Sequence, residues 1–300
     1  MKSFIFKLFV FFLLLLIPIF LVFVQANGYS DPFYLRFTTP KQSSLILGTS
    51  KAAQGIRPDI INGILARDDI YNYSFTVVHS PYGQTYLKSI KKKLSKTNKN
   101  GIFIVTVDPW SLSSNKKDVN NPDIFVELNN CLSNTTWVNT KPNIEYLLKN
   151  YNKPYVDLLR KSEIKLHNNG WLEVTVLMDS ISVNRRLLDK LTLYKEGQMT
   201  HSGFSKVRLE YLIKTIKYLK QYGKVYLIRL PVHPQIMKIE NEYMTDFDSK
   251  IKSVVLETAN YFDMTHLNDN YKYTDGMHLD KKSAKEVSKI IAEWIQSEDN

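Results

Sequence analysis

Short, strongly apolar runs recur along the chain with longer intervals between them, and this pattern constrains the fold more than any other feature. The runs are Leu45–Leu47, Phe75–Val78, Ile102–Val107 and Val225–Leu230. Such runs are typical of strands that are buried on both faces, and the intervals are long enough for helical crossovers between parallel strands. The sequence therefore predicts an α/β fold with helices on both faces of a parallel sheet.

Two segments have the periodicity of amphipathic helices that would cover such a sheet. Between Ser205 and Tyr222, apolar residues fall on one helical face and lysines on the other. A second helix is predicted after Asp280, whose side chain is suited to cap it. Its predicted inward positions are Ala284, Val287, Ile290, Ile291, Trp294 and Ile295.

Residues 1–26 are predicted to form a signal anchor that crosses a membrane. The stretch from Leu8 to Val24 is almost unbroken in its apolar character and follows Lys2 and Lys7. It is long enough to span a bilayer, and the two lysines favour a cytoplasmic N-terminus with the rest of the chain outside the cytoplasmic membrane. Cleavage near Ala26 is the alternative, and either outcome exports the domain.

We expect an extended connector over residues 27–43 and one main domain over residues 44–300. An Asn-, Lys- and Pro-rich stretch at about 111–201 predicts an insertion in that domain, which is a reasonable place for substrate selection. Three tryptophans in or beside it could stack on sugar rings, although packing is the more common role for such residues. They are Trp110, Trp137 and Trp171.

The net charge of +11 is compatible with nucleic acid, anionic lipid or an acidic glycan as a partner. Export excludes nucleic acid, and the dispersed lysines are typical of a solvated surface. The lone Cys131 permits no internal disulfide and has no neighbouring cation to activate it, which predicts a packing role. No tight cluster of His, Cys and carboxylate residues indicates a metal site.

Two distant segments carry the residue types of a serine-hydrolase triad. The first apolar run ends in Gly48-Thr49-Ser50, and a serine at a strand-to-helix turn exposes its hydroxyl. Asp275 and His278 precede the last predicted helix, where a turn can aim both side chains at one point. Helix capping explains each segment taken alone. Together they predict Ser50 as nucleophile, His278 as base and Asp275 as the carboxylate that orients the base.

The joint pattern resembles the SGNH (GDSL-like) hydrolase superfamily, specifically its membrane-anchored, extracytoplasmic branch that includes alginate-acetylation-type proteins. Residues 46–56 resemble the first block of the family, with Thr49 where better-known members carry Asp. Residues 71–75 resemble the second block and Asp275–Leu279 the fifth. The resemblance covers roughly residues 43–295 and implies a three-layer α/β/α, flavodoxin-like sheet.

The resemblance also implies an oxyanion hole formed by the backbone N–H groups of Ser50 and Ser74 together with Asn72. Ser74 stands where the family usually has Gly. The third block departs from the family, because Val107–Ser111 replaces Gly-x-Asn-Asp. An ionised Asp108 in that stretch accepts hydrogen bonds and cannot donate them.

The activity implied by the resemblance is that of a serine-dependent esterase or O-acyl (acetyl) transferase on exported or cell-surface polysaccharide. An acyl-serine intermediate serves both reactions, so transferase and hydrolase remain open, and neither requires a cofactor. The implied partners are a carbohydrate or acyl-ester substrate, the lipid bilayer and a membrane acyl-donor protein. The rival interpretation is a catalytically silent glycan-binding or assembly protein with the same fold.

Two further polar groups allow alternative interpretations. His266 also follows an aspartate by three residues, Asp263, and is the best alternative base. Arg229 ends a predicted strand with Glu240 close behind it, which suits either the rim of an active site or a buried ion pair that orients a loop.

Overall fold

The computed structural model describes residues 1–97 and 99–299, and its centre is a five-stranded parallel sheet. The sheet has the strand order β2-β1-β3-β8-β9, and all of its paired strands are parallel. The pairs β4–β7 and β5–β6 are antiparallel and lie outside it. The predicted α/β class is therefore confirmed. The strands are β1 Ser44–Leu47, β2 Ile70–Asn72, β3 Gly101–Thr106, β4 Ser113–Asn115, β5 Ile164–Leu166, β6 Leu172–Val174, β7 Ser202–Phe204, β8 Gly223–Arg229 and β9 Asn260–Asp263.

Helices connect these strands and follow the last of them. A π-helical turn covers Leu193–Gln198, and two of the 3-10 turns used below cover Tyr34–Phe37 and Tyr155–Leu159. The α-helices are α1 Lys2–Val24, α2 Ser50–Gly55, α3 Pro58–Ile64, α4 Gln84–Lys93, α5 Cys131–Asn134, α6 Ile144–Asn150, α7 Ser180–Thr192, α8 Met199–His201, α9 Lys206–Leu219, α10 Pro234–Tyr243, α11 Phe247–Val255 and α12 Lys281–Asp299.

The sheet separates two apolar cores because successive side chains of a strand point to opposite faces. Leu45 and Phe103 lie in one core with residues of α4 and α9, whereas Ile46 and Ile104 lie in the other with residues of α2, α3 and α12. Every residue of β1 and β3 is buried. Burial on both faces explains why these strands are continuous apolar runs in the sequence.

Both helices predicted from periodicity are present. α9 lies within the predicted range 205–222. The carboxylate of Asp280 caps α12 by accepting the Ser283 N–H at 2.7 Å. Four of the six predicted inward residues of α12 are fully buried, and the other two are partly buried against the same core. The fully buried residues are Ala284, Val287, Ile291 and Ile295.

Two strands of the sheet differ from the sequence prediction. The predicted strand Phe75–Val78 is wrong, because the strand β2 lies just before it and Phe75 instead packs its ring 5.1 Å from that of Tyr73. The edge strand β9 was not predicted from the sequence. Its four residues are only partly buried, so it lacks the apolar run that marks the other strands.

Residues 27–43 pack into the protein, whereas we expected an extended connector. All four side chains of the 3-10 turn Tyr34–Phe37 are buried. The guanidinium of Arg36 donates to the carbonyl oxygens of Asn72 at 3.3 Å and Gly170 at 2.8 Å. These bonds attach residues 27–43 to the end of β2, and burial of the aromatic residues in this segment stabilises the fold.

Within the described residues, α1 is the helix that is long and apolar enough to cross a membrane, judged by length and composition. Its apolar side chains are exposed along most of its length. Only its last turn enters the protein, where Phe23 is 4% exposed. The helix therefore projects from the α/β domain but is packed onto it at its C-terminal end.

Packing of α12 on the sheet is tested by Ile291→Ala. The substitution removes a fully buried side chain and should lower the free energy of unfolding by about 2–5 kcal/mol. Chemical denaturation of the full-length chain in detergent measures it. Leu256→Ala is the control, because Leu256 is 78% exposed and should change stability by no more than about 0.5 kcal/mol. Equal effects of the two substitutions would contradict the packing.

Candidate active site

The turn between β1 and α2 presents Ser50 at the carboxyl edge of the sheet. Ser50 is the first residue of α2, after Thr49 in extended conformation. A Cβ on Gly48 would lie 1.9 Å from Oγ1 of Thr106 in β3, so this turn requires glycine. Because the chain order reverses between β1 and β3, a crevice is expected at this edge, where doubly wound sheets bind ligands.

Hydrogen bonds from its own backbone to the side chain of Asp275 hold the loop Asp275–His278 in shape. Oδ1 of Asp275 accepts the N–H groups of Met277 and His278, each at 3.0 Å. Gly276 has a φ of 88°, in the left-handed region that favours glycine, and a Cβ there would lie 2.5 Å from Leu187. The turn directs the side chains of Asp275 and His278 toward one another.

The structure brings the three predicted catalytic residues together. Ser50 Oγ lies 2.8 Å from His278 Nε2, and His278 Nδ1 lies 2.9 Å from Asp275 Oδ2. A carboxylate only accepts hydrogen bonds, so Asp275 favours the tautomer with the proton on Nδ1. Nε2 is then free to accept the proton of the Ser50 hydroxyl. The arrangement can activate a serine nucleophile.

The electrostatic surroundings keep Asp275 ionised. Burial alone would raise the pKa of Asp275, but the neighbouring His278 and the ammonium of Lys190 outweigh it and lower the pKa below its ordinary value. Lys190 Nζ lies 3.4 Å from Asp275 Oδ2. Arg186, one turn earlier in α7, donates to the carbonyl oxygen of Thr274 at 2.7 Å. Thus α7, which lies in the predicted insertion, supports the carboxylate end of the triad.

The alternative base His266 lies elsewhere. Its Nδ1 is 2.8 Å from the carbonyl oxygen of Asp263, and the ring is exposed. The carboxylate of Asp263 accepts the Thr265 N–H instead of a histidine. Among the six histidines, which all lie in the described part of the chain, His278 is the one bonded to Ser50.

Two of the three groups predicted for the oxyanion hole, the Ser74 N–H and the Asn72 side chain, form hydrogen bonds within the protein. The Ser74 N–H donates to Asn72 Oδ1 at 3.1 Å, and the amide nitrogen of Asn72 donates to the carbonyl oxygens of Ala52 at 2.8 Å and Ile56 at 2.9 Å. Asn72 therefore secures α2 to the end of β2. The Ser50 N–H lies at the start of a helix, where no carbonyl one turn earlier can accept it.

A buried charged cluster, which was not predicted from the sequence, adjoins Ser50 through the next residue. Lys51 Nζ lies 2.8 Å from Glu240 Oε1 and 3.1 Å from Asp108 Oδ2. These three side chains are 6%, 1% and 8% exposed, respectively. Trp110 Nε1 also donates to Glu240 Oε1 at 3.0 Å. We call Lys51, Asp108 and Glu240 the Lys51 cluster.

The two carboxylates keep Lys51 charged. Burial would lower the pKa of Lys51, but Asp108 and Glu240 outweigh it and raise the pKa above its ordinary value. Arg229 Nη2 lies 3.6 Å from Glu240 Oε2, so the Arg229–Glu240 pair exists and is buried. No local signal could have indicated the cluster, because Glu240 is 189 residues away from Lys51.

The tryptophans considered for sugar stacking differ in exposure. Trp110 is 3% exposed and stacks on Tyr243 with the ring centroids 4.5 Å apart. Trp171 is also 3% exposed, whereas Trp137 is 60% exposed. Of the three, Trp137 alone presents a free face to a ligand. In residues 1–97 and 99–299, no three His, Cys, Asp or Glu side chains group as metal ligands would.

Comparison with known proteins gives no family assignment. A scan of the chain against protein-family models returned no match, and a search of curated proteins returned none either. The resemblance to SGNH hydrolases therefore stays a prediction. It rests on the residues quoted for it.

The Lys51 cluster is tested by Lys51→Met. The substitution leaves Asp108 and Glu240 buried without their shared cation and should destabilise the protein by about 3–5 kcal/mol, measured by chemical denaturation. Lys51→Arg retains the positive charge and should lower the free energy of unfolding by less. Lys195→Met, at an exposed position, is the neutral control. A Lys51→Met protein as stable as the wild type would refute the role of the cluster.

A pH series tests the lowered pKa of Asp275. The unfolded chain binds its proton more tightly than the folded chain does, so the contribution of the carboxylate to stability is full above about pH 3.9 and is lost as the pH falls through the folded pKa. Asp275→Asn should lower the thermal midpoint at pH 7, and the difference from wild type should narrow below about pH 4. Asp68→Asn, on the surface, should show no such convergence. A constant difference for Asp275→Asn would contradict the assignment.

Proposed function

We propose that the protein is a serine-dependent esterase or O-acyl transferase of the SGNH type. The observation that carries the proposal is the hydrogen-bonded series from Ser50 through His278 to Asp275, at 2.8 Å and 2.9 Å. The strand order adds support, because it puts Ser50 at the edge where doubly wound sheets bind ligands.

The chemistry follows from the roles of these side chains. Ser50 Oγ attacks the ester carbonyl carbon while His278 Nε2 takes the hydroxyl proton, and Asp275 stabilises the imidazolium. The tetrahedral intermediate expels the alcohol, which receives that proton from His278, and the acyl group stays on Ser50. Water, or a sugar hydroxyl in a transferase, then attacks the acyl-serine while His278 takes its proton. The bond between the acyl carbon and Ser50 Oγ breaks, and His278 returns the proton to Ser50 Oγ as the acid or the new ester leaves.

Negative charge on the carbonyl oxygen requires hydrogen-bond donors. The Ser50 N–H, at the start of α2, is suited to this role. The Ser74 N–H contributes only if it releases Asn72 Oδ1, its partner at 3.1 Å. Substrate binding would then have to break the hydrogen bond between the Ser74 N–H and Asn72 Oδ1.

The proposed substrate class is O-acetyl groups of an exported or cell-surface polysaccharide, with the acyl donor either an ester or a membrane acyl-donor protein. In this proposal α1 anchors the chain in the membrane with the catalytic domain outside the cytoplasm, which the lysines at Lys2 and Lys7 favour. Trp137, at 60% exposure, is the candidate for stacking on a sugar ring.

The hydrogen bonds of Asn72 favour a second candidate. Its amide nitrogen donates to the carbonyl oxygens of Ala52 in α2 and of Ile56 just after α2, and its oxygen accepts the Ser74 N–H, so neither Asn72 nor the Ser74 N–H is free to hold an oxyanion. A catalytically silent glycan-binding or assembly protein with the same fold would need no such hole. Enzyme assays separate the two candidates.

The full-length chain in detergent should hydrolyse p-nitrophenyl acetate. Full length is needed because Phe23 belongs to the core, and removing it would disturb folding. Ser50→Ala should abolish the activity, and His278→Ala should reduce kcat about 10²–10⁴-fold through loss of the general base.

Matched controls keep the same residue types outside the site. Ser297→Ala and His266→Ala replace exposed side chains and should leave the rate unchanged. A serine-directed phosphonate should label a peptide that contains Ser50, and Ser50→Ala should remove the label. Equal rates for wild type and Ser50→Ala would reject the enzyme and leave the silent glycan-binding protein.

A further inference from the structure

The junction between α1 and the domain is a packed contact. Phe23 is 4% exposed, and its ring centroid lies 5.0 Å from that of Tyr155. Ala26, just beyond the helix, is 2% exposed, and Val22 packs against the same core. The 3-10 turn Tyr155–Leu159 is therefore fixed against the C-terminal end of α1.

A cavity of about 440 Å³ opens beside this junction. One side is formed by Gln25 and Asn27, directly after α1, and another by the segment from Leu158 onward. Three cationic side chains line it, and no carboxylate is among its lining residues. The cations are Arg160, Lys161 and Lys165.

The positive charge of this cavity is partly balanced. Arg160 Nη1 donates to Asp157 Oδ1 at 2.9 Å, yet the arginine side chain remains 71% exposed. Lys165 Nζ lies 5.6 Å from the ring centroid of Tyr29, which also lines the cavity. In these contacts one carboxylate faces three cations, so the cavity keeps a net positive charge.

Apolar side chains of the 3-10 turn Tyr155–Leu159 lie just before the cations in the chain. Val156 is 53% exposed and Leu159 is 61% exposed, and Leu159 also lines the cavity. Exposed apolar residues beside basic ones are typical of surfaces that enter the boundary between lipid headgroups and acyl chains. Here that surface is continuous with the end of α1.

The length of α1 sets the level of the cavity. Its 23 residues extend over about 34 Å, close to the roughly 30 Å thickness of a bilayer's hydrocarbon core. If α1 spans that core, its end at Val24 lies at the interface, and the cavity lies at the level of the headgroups. This step rests on the membrane anchoring included in the proposed function.

We propose that this cavity binds the phosphodiester of an anionic phospholipid headgroup. Arg160, Lys161 and Lys165 contact the phosphate, while Val156 and Leu159 enter the acyl region. In the proposed orientation the outer leaflet of the membrane would supply such headgroups, and several basic residues at one membrane-proximal position are the usual means of holding them. The bound lipid would add a second attachment beside α1.

The test compares soluble short-chain lipids on the full-length protein in detergent. Dihexanoyl-phosphatidylglycerol should bind at least tenfold more tightly than dihexanoyl-phosphatidylcholine by calorimetric titration. The triple variant Arg160→Gln/Lys161→Gln/Lys165→Gln should lose this preference. The matched control Lys282→Gln/Lys285→Gln/Lys289→Gln neutralises three exposed lysines on α12 and should retain it.

The other arms separate the sources of phosphate and the causes of failure. Inorganic phosphate should compete only weakly; competition equal to that of phosphatidylglycerol would overturn the lipid assignment. The triple variant should remain in carbonate-washed membranes, keep the wild-type thermal midpoint and retain esterase activity. If the wild-type protein stays in the membranes but binds the two lipids equally well, this inference is overturned and the membrane anchor still stands. Wild type absent from the washed membranes would instead reject the anchor, and with it this inference, but not the esterase.

Discussion

The hydrogen bond between Ser50 Oγ and His278 Nε2 joins residues that are 228 positions apart, and the functional proposal depends on it. Each of the two turns that position these residues requires a glycine. Gly48 lets β1 end tightly against Thr106, and Gly276 lets the loop fold back so that Asp275 accepts the His278 N–H. A parallel sheet brings the carboxyl ends of its strands to one edge, and the two loops meet there. Sheet topology is therefore as necessary to the triad as the identity of its residues.

The Lys51 cluster explains how so short a helix as α2 can hold the nucleophile in place. A helix of six residues is not stable by itself in water. Lys51 lies on α2, Asp108 follows β3, and Glu240 lies on α10, so their bonds form only when the three elements are correctly placed. Burial of such ions offsets much of their attraction, and the net gain in stability is small. We infer that the cluster mainly fixes the position of Ser50.

Much of the fold could be predicted from the sequence because its signals are local, whereas the triad was predicted only by combining two distant segments, since helix capping explains either one alone. The strands β1 and β3, which are buried throughout, and β8, which is buried from Val225 to Arg229, coincide with apolar runs, and α12 shows its inward face by periodicity. The edge strand β9 gave no such signal because its residues are only partly buried. Residues 27–43 resemble a linker in composition, and their burial depends on distant partners of Arg36 such as Gly170. Contacts of Lys190 and Lys51 likewise depend on tertiary structure that no single segment encodes.

The packed junction at Phe23 bears on the choice between hydrolase and transferase. A flexible connector would let the active site sample many heights above a membrane, whereas buried Phe23, Tyr34 and Arg36 hold the domain against the end of α1. If α1 crosses the bilayer, Ser50 is held at one height and one orientation. A donor in the same membrane then loses less orientational freedom on reaching Ser50 than it would with a loosely tethered domain. Water needs no such positioning, so we infer that the junction favours transfer from a membrane-bound acyl donor over simple hydrolysis.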